Sequence, residues 1–598
     1  MIVNRSSAGI SCALCLLAAP AFAFENLSFV VQGGEDLEDQ LRNSSLLVAA
    51  KEEGVTDPQE ILSAARADYG RLIGSLYNQG HYGGVINILV NGTEADRISP
   101  LTRIGAINDV VVRVEAGPSY LFSRAEIAPL APGTELPDEF AIGQTARSPI
   151  IADAAAAGVS GWRDQGNAKA DIADQRVLAQ HDANTLDVQI ALAPGPRVTF
   201  GNLILQGSEA VRPERLREIA GLPVGQVFSP ADLEESSARL RRTGVFSSVA
   251  LTEAETINPD GSMDIIAQLA AREPRRIGFG AELSSIDGLT LTGFWLHRNL
   301  LGGAERLRID GEIAGIGGST TGGTDYSFGG RFERPATFAP ENTLVIEGRV
   351  ARLNEDDYSS NLVSSGIGIE RRVNDDLTIS YGLGLRFSEI EDDAGTTDYA
   401  LATLPLSAIY DTREQPLDAK DGLYLNLDVT PFAGLNDSTG SGVRTTFDAR
   451  SYLSFGEEDR ITLAGRVQGG SILGAELDRV PNDYRFYSGG GGTVRGQEYQ
   501  SLDVMLNGIE SGGASFVAVQ AELRAGITDS IGLVAFYDYG IVGRDGFPSS
   551  GDDSHSGAGL GLRYLTPIGP IRLDVAAPLS GPGDPSGVEV YVGIGQAF

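Results

Sequence analysis

Cysteine is missing from almost the whole chain: Cys12 and Cys15 both lie in the first 23 residues. Without that segment, disulfides, thiolate catalysis and cysteine metal sites are excluded. Long apolar runs are also missing, since no later stretch approaches the roughly 20 residues of a membrane-spanning helix. Basic residues are few, 46 against 80 acidic ones. The resulting net charge of −34 argues against nucleic acid as a partner and against a basic membrane-surface helix.

The residues that enzymes use for catalysis are scarce or scattered. The sequence has no Gly-x-Ser-x-Gly turn for a serine nucleophile. Its acidic run at 391–393 is more typical of a solvated loop than of a calcium site. Four histidines show no metal-ligand spacing: His81, His181, His297 and His555. We therefore expect no enzymatic activity and no cofactor.

The first residues have the layout of a secretory signal peptide. Arg5 supplies a positive charge, 10–17 is a short apolar stretch, and 21–23 offers a small-x-small cleavage site after Ala23. A membrane anchor is the alternative, but the apolar stretch is too short to span a bilayer. A lipoprotein site at Cys12 is disfavoured because the apolar run follows that residue. An exported chain without a spanning helix is soluble or crosses a membrane as a closed barrel.

Residues 24–273 carry a weak internal repeat. Three times a helical pattern ends in a glycine before a strand, at Gly80, Gly166 and Gly244. The third repeat is the clearest and has the order β-α-α-β-β, with Ser229 and Pro230 opening its second helix. The sequence thus predicts an α+β region of three small domains: 24–116, 117–195 and 196–273.

Residues 274–598 alternate apolar and polar side chains with the period of a β-strand. One face of 377–387 is aliphatic and aromatic, and the other carries small and charged residues. A soluble sandwich also alternates, but long strands and alternating link lengths favour a transmembrane barrel. We predict sixteen strands: 276–285, 289–298, 304–315, 325–334, 342–352, 362–372, 376–388, 399–410, 422–432, 443–455, 460–470, 515–528, 530–540, 556–566, 569–577 and 587–598.

The link 471–514 is too long to be idle inside a compact barrel. It contains Gly489 to Gln497, a glycine-rich run that lacks the lysine and the βαβ context of a phosphate loop. Its Val494-Arg495-Gly496 segment lies between the eleventh and twelfth predicted strands. The segment resembles the signature of the outer-membrane assembly superfamily, which includes BamA, TamA and the two-partner secretion transporters.

This resemblance implies that the loop 471–514 folds into the barrel lumen. Its Arg495 would dock on a strand bearing Phe-x-Asp-x-Gly, here Phe536, Asp538 and Gly540. Strand alternation independently turns Phe536 and Asp538 inward, and Asp538 can accept charge-assisted hydrogen bonds from Arg495. A second lumenal partner is Glu522. The family usually has an aromatic residue where this chain has Gln497, which leaves the packing of the loop tip open.

The three repeats resemble polypeptide-transport-associated (POTRA) domains, which implies the order β-α-α-β-β for each of them. The sheet edges of such domains can bind extended clients by strand addition. Rigid spacers are the alternative reading. Their number points by analogy to the TamA branch, which implies assembly of autotransporters in the bacterial outer membrane. A TamB-like inner-membrane protein, unfolded client proteins and the outer-membrane bilayer would be its partners. A BamA-like general insertase and a two-partner secretion transporter remain open, as does a diffusion porin or uptake channel.

The first and last strands should close the barrel with a weak seam. Glycine weakens a strand interior, and the seam carries Gly278 and Gly280 on one side and Gly593 and Gly595 on the other. Phe598 ends an alternating strand in the manner of outer-membrane barrels. We expect this seam to open sideways for client strands, with Ala281 lying near Val592. The alternative is that the glycines only relieve crowding.

Overall fold

The structure is a computed structural model. It describes residues 26–102, 104–207, 209–284, 288–318, 323–456, 459–506, 508–566, 569–581 and 587–598. The predicted signal peptide, 1–23, lies outside these residues. The described residues form two compact units, one built mainly from 26–201 and the other mainly from 264–598 with most of the third repeat. No helix among the described residues is long and apolar enough to cross a membrane.

The first repeat packs helices against a four-stranded sheet of order β1-β4-β2-β3, in which β1 and β4 are parallel. The longest helix begins where the Asp57 side chain accepts a hydrogen bond from the backbone of Gln59, and its apolar face buries Ile61 and Leu72. Three helices form where two were predicted. The elements are β1 (Asn26–Gln32), α1 (Glu35–Ser44), α2 (Leu46–Glu52), α3 (Pro58–Asn78), β2 (Val85–Val90), β3 (Thr93–Glu94) and β4 (Asp109–Glu115).

The second repeat departs further from the predicted β-α-α-β-β order, because its described residues contain one α-helix. Residues 129–147 form turns where the first helix was expected. Pro129, Pro132 and Pro137 in this stretch remove amide donors and so prevent a continuous helix. The sheet has the order β5-β7-β6. The elements are β5 (Leu121–Ala128), α4 (Ser148–Asp164), β6 (Asp171–Gln180) and β7 (Thr185–Ala193).

The third repeat has the predicted β-α-α-β-β order. Its sheet runs β8-β10-β9, and its second helix begins at Pro230, as the sequence indicated. Gly221 ends the first helix in the left-handed conformation that favours glycine. The elements are β8 (Thr199–Gly207), α5 (Pro213–Ala220), α6 (Pro230–Arg242), β9 (Phe246–Glu253) and β10 (Ser262–Ala271).

Apart from one short hairpin, the remaining strands close into a barrel of sixteen strands, which confirms the predicted fold. One barrel strand consists of two segments, β18 and β19, that are separated at Pro405, since proline has no amide to donate to the sheet. The elements are β11 (Arg275–Ser284), β12 (Gly288–His297), β13 (Arg306–Ile316), β14 (Asp325–Arg334), β15 (Asn342–Asn354), β16 (Tyr358–Arg372), β17 (Leu377–Asp392), β18 (Gly395–Thr403), β19 (Leu406–Asp411), β20 (Gly422–Gly434), β21 (Gly442–Phe455), β22 (Ile461–Leu473), the short hairpin β23 (Val504–Leu506) and β24 (Ile509–Ser511), β25 (Ser515–Gly526), β26 (Ile531–Gly543), β27 (Ser554–Tyr564), β28 (Ile571–Ser580) and β29 (Glu589–Ile594).

Side chains alternate between the two faces of the barrel wall. On β26, Leu533 and Tyr537 point outward and are about half exposed, whereas Phe536 and Asp538 are buried on the inner face. An apolar outer face and a polar inner face are what a barrel in a bilayer requires. The long connection 474–514 follows β22 and packs Val480 and Phe486 into an apolar cluster with residues of the inner wall.

Candidate functional site

The loop tip is a tight turn that glycine makes possible. Gly489 and Gly490 have positive φ angles, and the Thr493 hydroxyl both donates to the Gly489 carbonyl and accepts from its amide. Gly496 also has a positive φ and lies against the backbone of Ala577, where a Cβ would not fit. Val494 is fully buried. The turn therefore presents Arg495 directly to the inner wall of the barrel.

Arg495 is buried to 1% exposure and forms ion pairs with three carboxylates. Its Nε lies 2.7 Å from Asp538 Oδ2 and its Nη2 lies 3.0 Å from Asp538 Oδ1, which makes a bidentate pair. Its Nη1 lies 2.6 Å from Glu522 Oε1 and 3.3 Å from Asp574 Oδ2. The Arg495 backbone amide also donates to Asp538. Charge-assisted and bidentate contacts of this kind fix the orientation of the loop.

Two further residues of the strand motif complete the docking site. The Arg495 guanidinium lies 3.6 Å from the centre of the Phe536 ring, a cation–π contact. Gly540 faces the loop at Ser488 and Val494, and a Cβ at this position would overlap both side chains. The structure thus brings together the loop residues Val494 and Arg495 with Phe536, Asp538, Gly540 and Glu522 on the wall.

Gln497, the residue that departs from the family pattern, is fully buried. Its side-chain amide donates to the backbone carbonyls of Ser556 and Ser580, each at 2.8 Å. These carbonyls lie where the pairing of β27 and β28 shifts register. Gln497 therefore joins the two strands at an irregularity of their ladder. The Gly496 amide donates to the hydroxyl of Tyr591 on β29, so the loop tip contacts the last three strands.

Sequence reasoning missed three members of the buried network: Asp574, Arg524 and Arg563. Arg524 Nε lies 2.8 Å from Glu522 Oε2, and Arg563 forms an ion pair with Asp574. With Arg495, three arginines thus face three carboxylates, and the network has no net charge. Buried charges are tolerated when they are paired and hydrogen-bonded in this way. The alternation of β25 and β28 placed Arg524 and Asp574 on the inner face, but no motif marked them.

The seam between β11 and β29 is short over the residues that the structure describes. Among the described residues, Leu283 pairs with Val592 and Ser284 with Tyr591, whereas β11 and β12 share ten residue pairs. Val592 was predicted to lie near Ala281. The structure places it opposite Leu283, which is two residues further along β11. An ion pair between Arg572 on β28 and Glu282 on β11, at 2.9 Å, crosses the seam beside Gly593. Gly593 leaves room for this pair because it has no side chain.

The other predicted seam residues have different surroundings. A Cβ at Gly278 would overlap Phe294 and one at Gly280 would approach Thr292, so both glycines make room for side chains of β12. Gly595 and Phe598 were wrongly placed in the seam, because β29 ends at Ile594. Gly595 has a positive φ, and the chain leaves the strand there. Phe598 is buried among inner-wall residues, and its burial favours the turn away from the seam.

Two other features are candidates for binding. Asp357, Asp503 and Glu510 bring carboxylate oxygens within 4.8 Å of one another, but nothing else there indicates a cation. In the second repeat, a groove of about 790 Å³ lies between α4 and β6 and is lined largely by apolar side chains, among them Ile151 and Val177. Strand β6 pairs on one side with β7 and, among the described residues, with no strand on the other. Such an edge offers backbone donors and acceptors to an extended peptide.

Two solved structures illustrate the fold that this chain shares. BamA from Haemophilus ducreyi lacking POTRA domains 1–3 superposes with a TM-score of 0.62 at 17% identity, covering 79% of this chain and 100% of that chain. CdiB from Acinetobacter baumannii superposes with a TM-score of 0.53 at 13% identity, covering 80% and 90%. These likenesses concern the fold.

Similar sequences include the outer membrane protein assembly factor BamA of Nitratidesulfovibrio vulgaris, 24% identical over 70% of this chain and 53% of that protein. BamA of Neorickettsia risticii is 24% identical over 67% and 56%. The chain thus spans about half the length of these relatives. Residues 198–268 match the POTRA family model, the surface antigen variable number repeat. The barrel lies in the outer membrane, with N-terminal domains in the periplasm. Residues 299–598 match the Omp85 superfamily domain, and the chain belongs to this superfamily.

Proposed function

We propose that this chain is an assembly factor that inserts or secretes client β-barrel proteins through the seam between β11 and β29. The observation that carries the proposal is a contrast within one wall of the barrel. The loop tip holds β26, β27 and β28 through buried ion pairs and amide hydrogen bonds. The adjoining seam has two residue pairs among the described residues. A firm wall beside a weak seam allows sideways opening without collapse of the barrel.

Strand addition is the step that this seam supports. When β11 separates from β29, its backbone donors and acceptors face lipid unpaired, which is costly in a bilayer. A client strand that pairs with this edge removes the cost. The exchange replaces hydrogen bonds and forms no covalent bond, so the function needs neither an enzymatic step nor a cofactor.

The periplasmic repeats would recruit the clients. Strand β6 provides a free edge of ten residues, and the groove beside it accepts apolar side chains of an extended segment. Backbone pairing gives affinity for many sequences, and the groove selects segments with alternating apolar residues. Unfolded outer-membrane proteins have this pattern.

The finer assignment is a TamA-like role in the assembly of autotransporters with a TamB-like partner, which rests on family analogy. A BamA-like general insertase is a second candidate, and the likeness in fold to CdiB keeps a secretion transporter as a third. Affinity capture of the intact protein from native membranes separates these roles. We expect one large inner-membrane protein to be captured; several small lipoproteins would favour the BamA-like role instead.

A diffusion porin is the candidate from a different class. The loop 474–514 packs against the inner wall through Val480 and Phe486 and holds its tip by buried charges. We therefore expect low conductance of the intact protein in planar bilayers and a large increase after deletion of 474–514. High conductance of the intact protein would favour the porin.

The direct test is reconstitution in lipid vesicles. Vesicles that contain this protein should insert an unfolded client barrel faster than vesicles that contain an unrelated porin. The folded fraction can be followed by the shift in gel mobility between heated and unheated samples. The proposed function would be contradicted if the two kinds of vesicle inserted clients at equal rates, both for autotransporters and for general outer-membrane proteins.

A further inference from the structure

Residues 595–598 leave the barrel wall and cross part of the lumen. The Gly595 amide donates to the Pro570 carbonyl, and the Gln596 amide donates to the Leu417 carbonyl. Phe598 then packs against the inner side of the barrel in a cluster with Tyr452 and Ala464. These contacts lie on connections and strands other than the partners of β29, so we name 595–598 the inturned segment.

Two arginines of the inner wall hold the inturned segment. Arg524 Nη2 donates to the Phe598 backbone oxygen at 3.2 Å, and its guanidinium lies 5.4 Å from the centre of the Phe598 ring. Arg563 Nε donates to Gln596 Oε1 at 2.7 Å. Arg524 and Arg563 are 7% and 2% exposed. The segment is thus fixed at two points by buried cations.

The same two arginines belong to the charge network of the loop tip. Glu522 lies between Arg495 and Arg524, and each of its two oxygens accepts from one of them. Asp574 also lies between two arginines: its Oδ1 accepts from Arg563, and its Oδ2 accepts from both Arg495 and Arg563. Two carboxylates therefore connect the loop tip to the inturned segment along separate routes. Neither carboxylate has a hydrogen bond to the segment among the described contacts.

Space around the second route is tight. A Cβ at Gly561 would overlap both the Asp574 carboxylate and the Arg563 guanidinium. The pair therefore lies directly against the backbone of β27, and Arg563 has little freedom to shift while it stays bonded. In a packed and charge-balanced arrangement of this kind, removal of one charged side chain changes the positions and hydrogen bonds of its neighbours.

We propose that Arg524 and Arg563 are positioning residues that couple the docked loop to the inturned segment, and thereby to the end of β29 at the seam. Loss of Arg495 leaves three carboxylates with two cations. Arg524 and Arg563 then turn toward the unbalanced carboxylates and give up Phe598 and Gln596. The inference deepens the proposed function, because it assigns control of the seam to docking of the loop.

The test measures exposure of the inturned segment without any client. Ala597→Cys introduces a cysteine, and the purified barrel is reacted in lipid vesicles with a bulky thiol reagent. Adding Arg495→Ala should raise the reaction rate by about tenfold or more. The reason is that Arg524 and Arg563 then bind the unbalanced carboxylates and no longer hold the inturned segment. Glu522→Gln keeps the volume of the side chain but removes the carboxylate that orients Arg524 toward Phe598, so it should raise the rate as well. Gel mobility of unheated samples verifies that each barrel is folded.

Arg386→Ala is the matched control. Arg386 also points inward and also binds the loop, at 2.9 Å to Asp483, but it contacts neither the inturned segment nor Glu522 in the described structure. The control should leave the rate unchanged. Arg524→Lys keeps the cation and should raise the rate less than Arg524→Ala does.

Two results would overturn the coupling. If Arg524→Ala exposes the segment but Arg495→Ala and Glu522→Gln do not, the segment is held locally. If none of the variants exposes it, packing of Phe598 alone holds it. If the Arg495→Ala variant fails to fold, the rate of thiol modification in the Glu522→Gln variant tests the coupling instead. Since no client is present, a negative result leaves the proposed assembly function to be judged by its own reconstitution assay.

Discussion

Arg495 acts through its position among charges rather than through a single pair. Its guanidinium is shared by Asp538, Glu522 and Asp574, and two other arginines complete the charge balance. A charge that is buried with its partners is held in one geometry, whereas the removal of one member leaves an unpaired charge in a region with little water. The consequences of substitution therefore depend on which charges remain.

Arg495→Ala and Asp538→Ala should each lower stability and impair client assembly. We expect Arg495→Ala to reduce the free energy of unfolding by about 3–5 kcal/mol, since three carboxylates then share two cations. The double variant restores the balance and should be no less stable than Arg495→Ala alone, while assembly stays impaired because the loop is undocked. Urea unfolding in detergent measures the free energy of unfolding of the unaltered protein, the two single variants and the double variant. Independent, additive losses would contradict the shared network.

The site of Gln497 should not tolerate the aromatic residue that the family resemblance implies at this position. Gln497→Phe removes both amide hydrogens from the Ser556 and Ser580 carbonyls, which costs on the order of 1–3 kcal/mol for each buried group left unpaired. The exposed Gln415 provides the control, and Gln415→Phe should be neutral. Thermal unfolding compares the two variants. A more stable Gln497→Phe protein would show that the site is built for an aromatic ring.

Local sequence features predicted the docking partners but not the extent of their network. Arg495 and Asp538 followed from motifs and strand alternation, because both depend on residues adjacent in sequence. Arg563 and Asp574 form an ion pair across the neighbouring strands β27 and β28. The register between these two strands brings them together, and the sequence does not show that register. The role of Gln497 depends on an irregularity between β27 and β28, and no local pattern marks it.

The last strand and the segment after it behave as different elements. β29 pairs with β28 over six residue pairs but with β11 over two among the described residues. The sequence predicted one continuous strand to residue 598, because alternation persists to its end. Burial of Phe598 and the positive φ of Gly595 override that alternation. Elements with a strong period, such as β17, were predicted well, whereas the second repeat lost a helix to prolines.

A disulfide across the seam should stop client assembly and leave the barrel folded. Leu283→Cys and Val592→Cys lie directly opposite each other, and no other cysteine follows residue 15. Cβ atoms of opposed residues are about 4.5–5.5 Å apart, close enough to be bridged after small adjustments. The matched control is Leu573→Cys with Val592→Cys, which bridges the well-paired interface of β28 and β29.

The control disulfide should leave assembly unchanged, and a reductant should restore assembly in the seam variant. Assembly rates in vesicles, measured before and after reduction, provide the readout. Normal assembly by the fully oxidised seam variant would show that clients do not pass between β11 and β29. The sixteen-stranded fold would stand in either case.

The turn between β15 and β16 should be sensitive to pH. Burial raises the pKa of Glu355 to about 8, and the neighbouring Asp325, Asp356 and Asp357 raise it further through repulsion. The folded turn keeps the proton that the unfolded chain releases at its lower pKa. Stability from this group is thus full below the unfolded pKa and is lost as pH rises toward about 8.

Hydrogen exchange of 498–511, which lies beside this turn, should therefore be faster at high pH after correction for the intrinsic rate. Glu355→Gln stays neutral and should remove most of the dependence, and the residual part comes from Asp503, whose pKa burial raises to about 6. Glu391→Gln, at an exposed position, serves as the control. Equal pH dependence in Glu355→Gln and the unaltered protein would rule out this carboxyl as the cause.

At the scale of the whole molecule, the proposed function assigns recruitment to the repeats and insertion to the barrel. In the described part of the chain, the second repeat presents an edge of β6 without a partner strand and an apolar groove beside it. The barrel carries the docked loop and the weak seam. The order of the α+β repeats and the barrel was predictable from composition and periodicity, because each depends on many residues. The docking of the loop was expected from the family resemblance. The element content of single repeats was not, since a few prolines decide it.

Deletion of 26–195 should separate the two activities. The truncated protein keeps the third repeat and all sixteen barrel strands, so it should insert into membranes and shift its gel mobility on heating as the full chain does. It lacks β6 and its groove, so capture of an unfolded client and of the periplasmic partner should fall to background. Assembly at high client concentration should persist in part, because the seam is intact and mass action replaces recruitment. Full assembly by the truncated protein at low client concentration would show that the first two repeats are spacers, whereas no assembly at any concentration would show that insertion itself requires them.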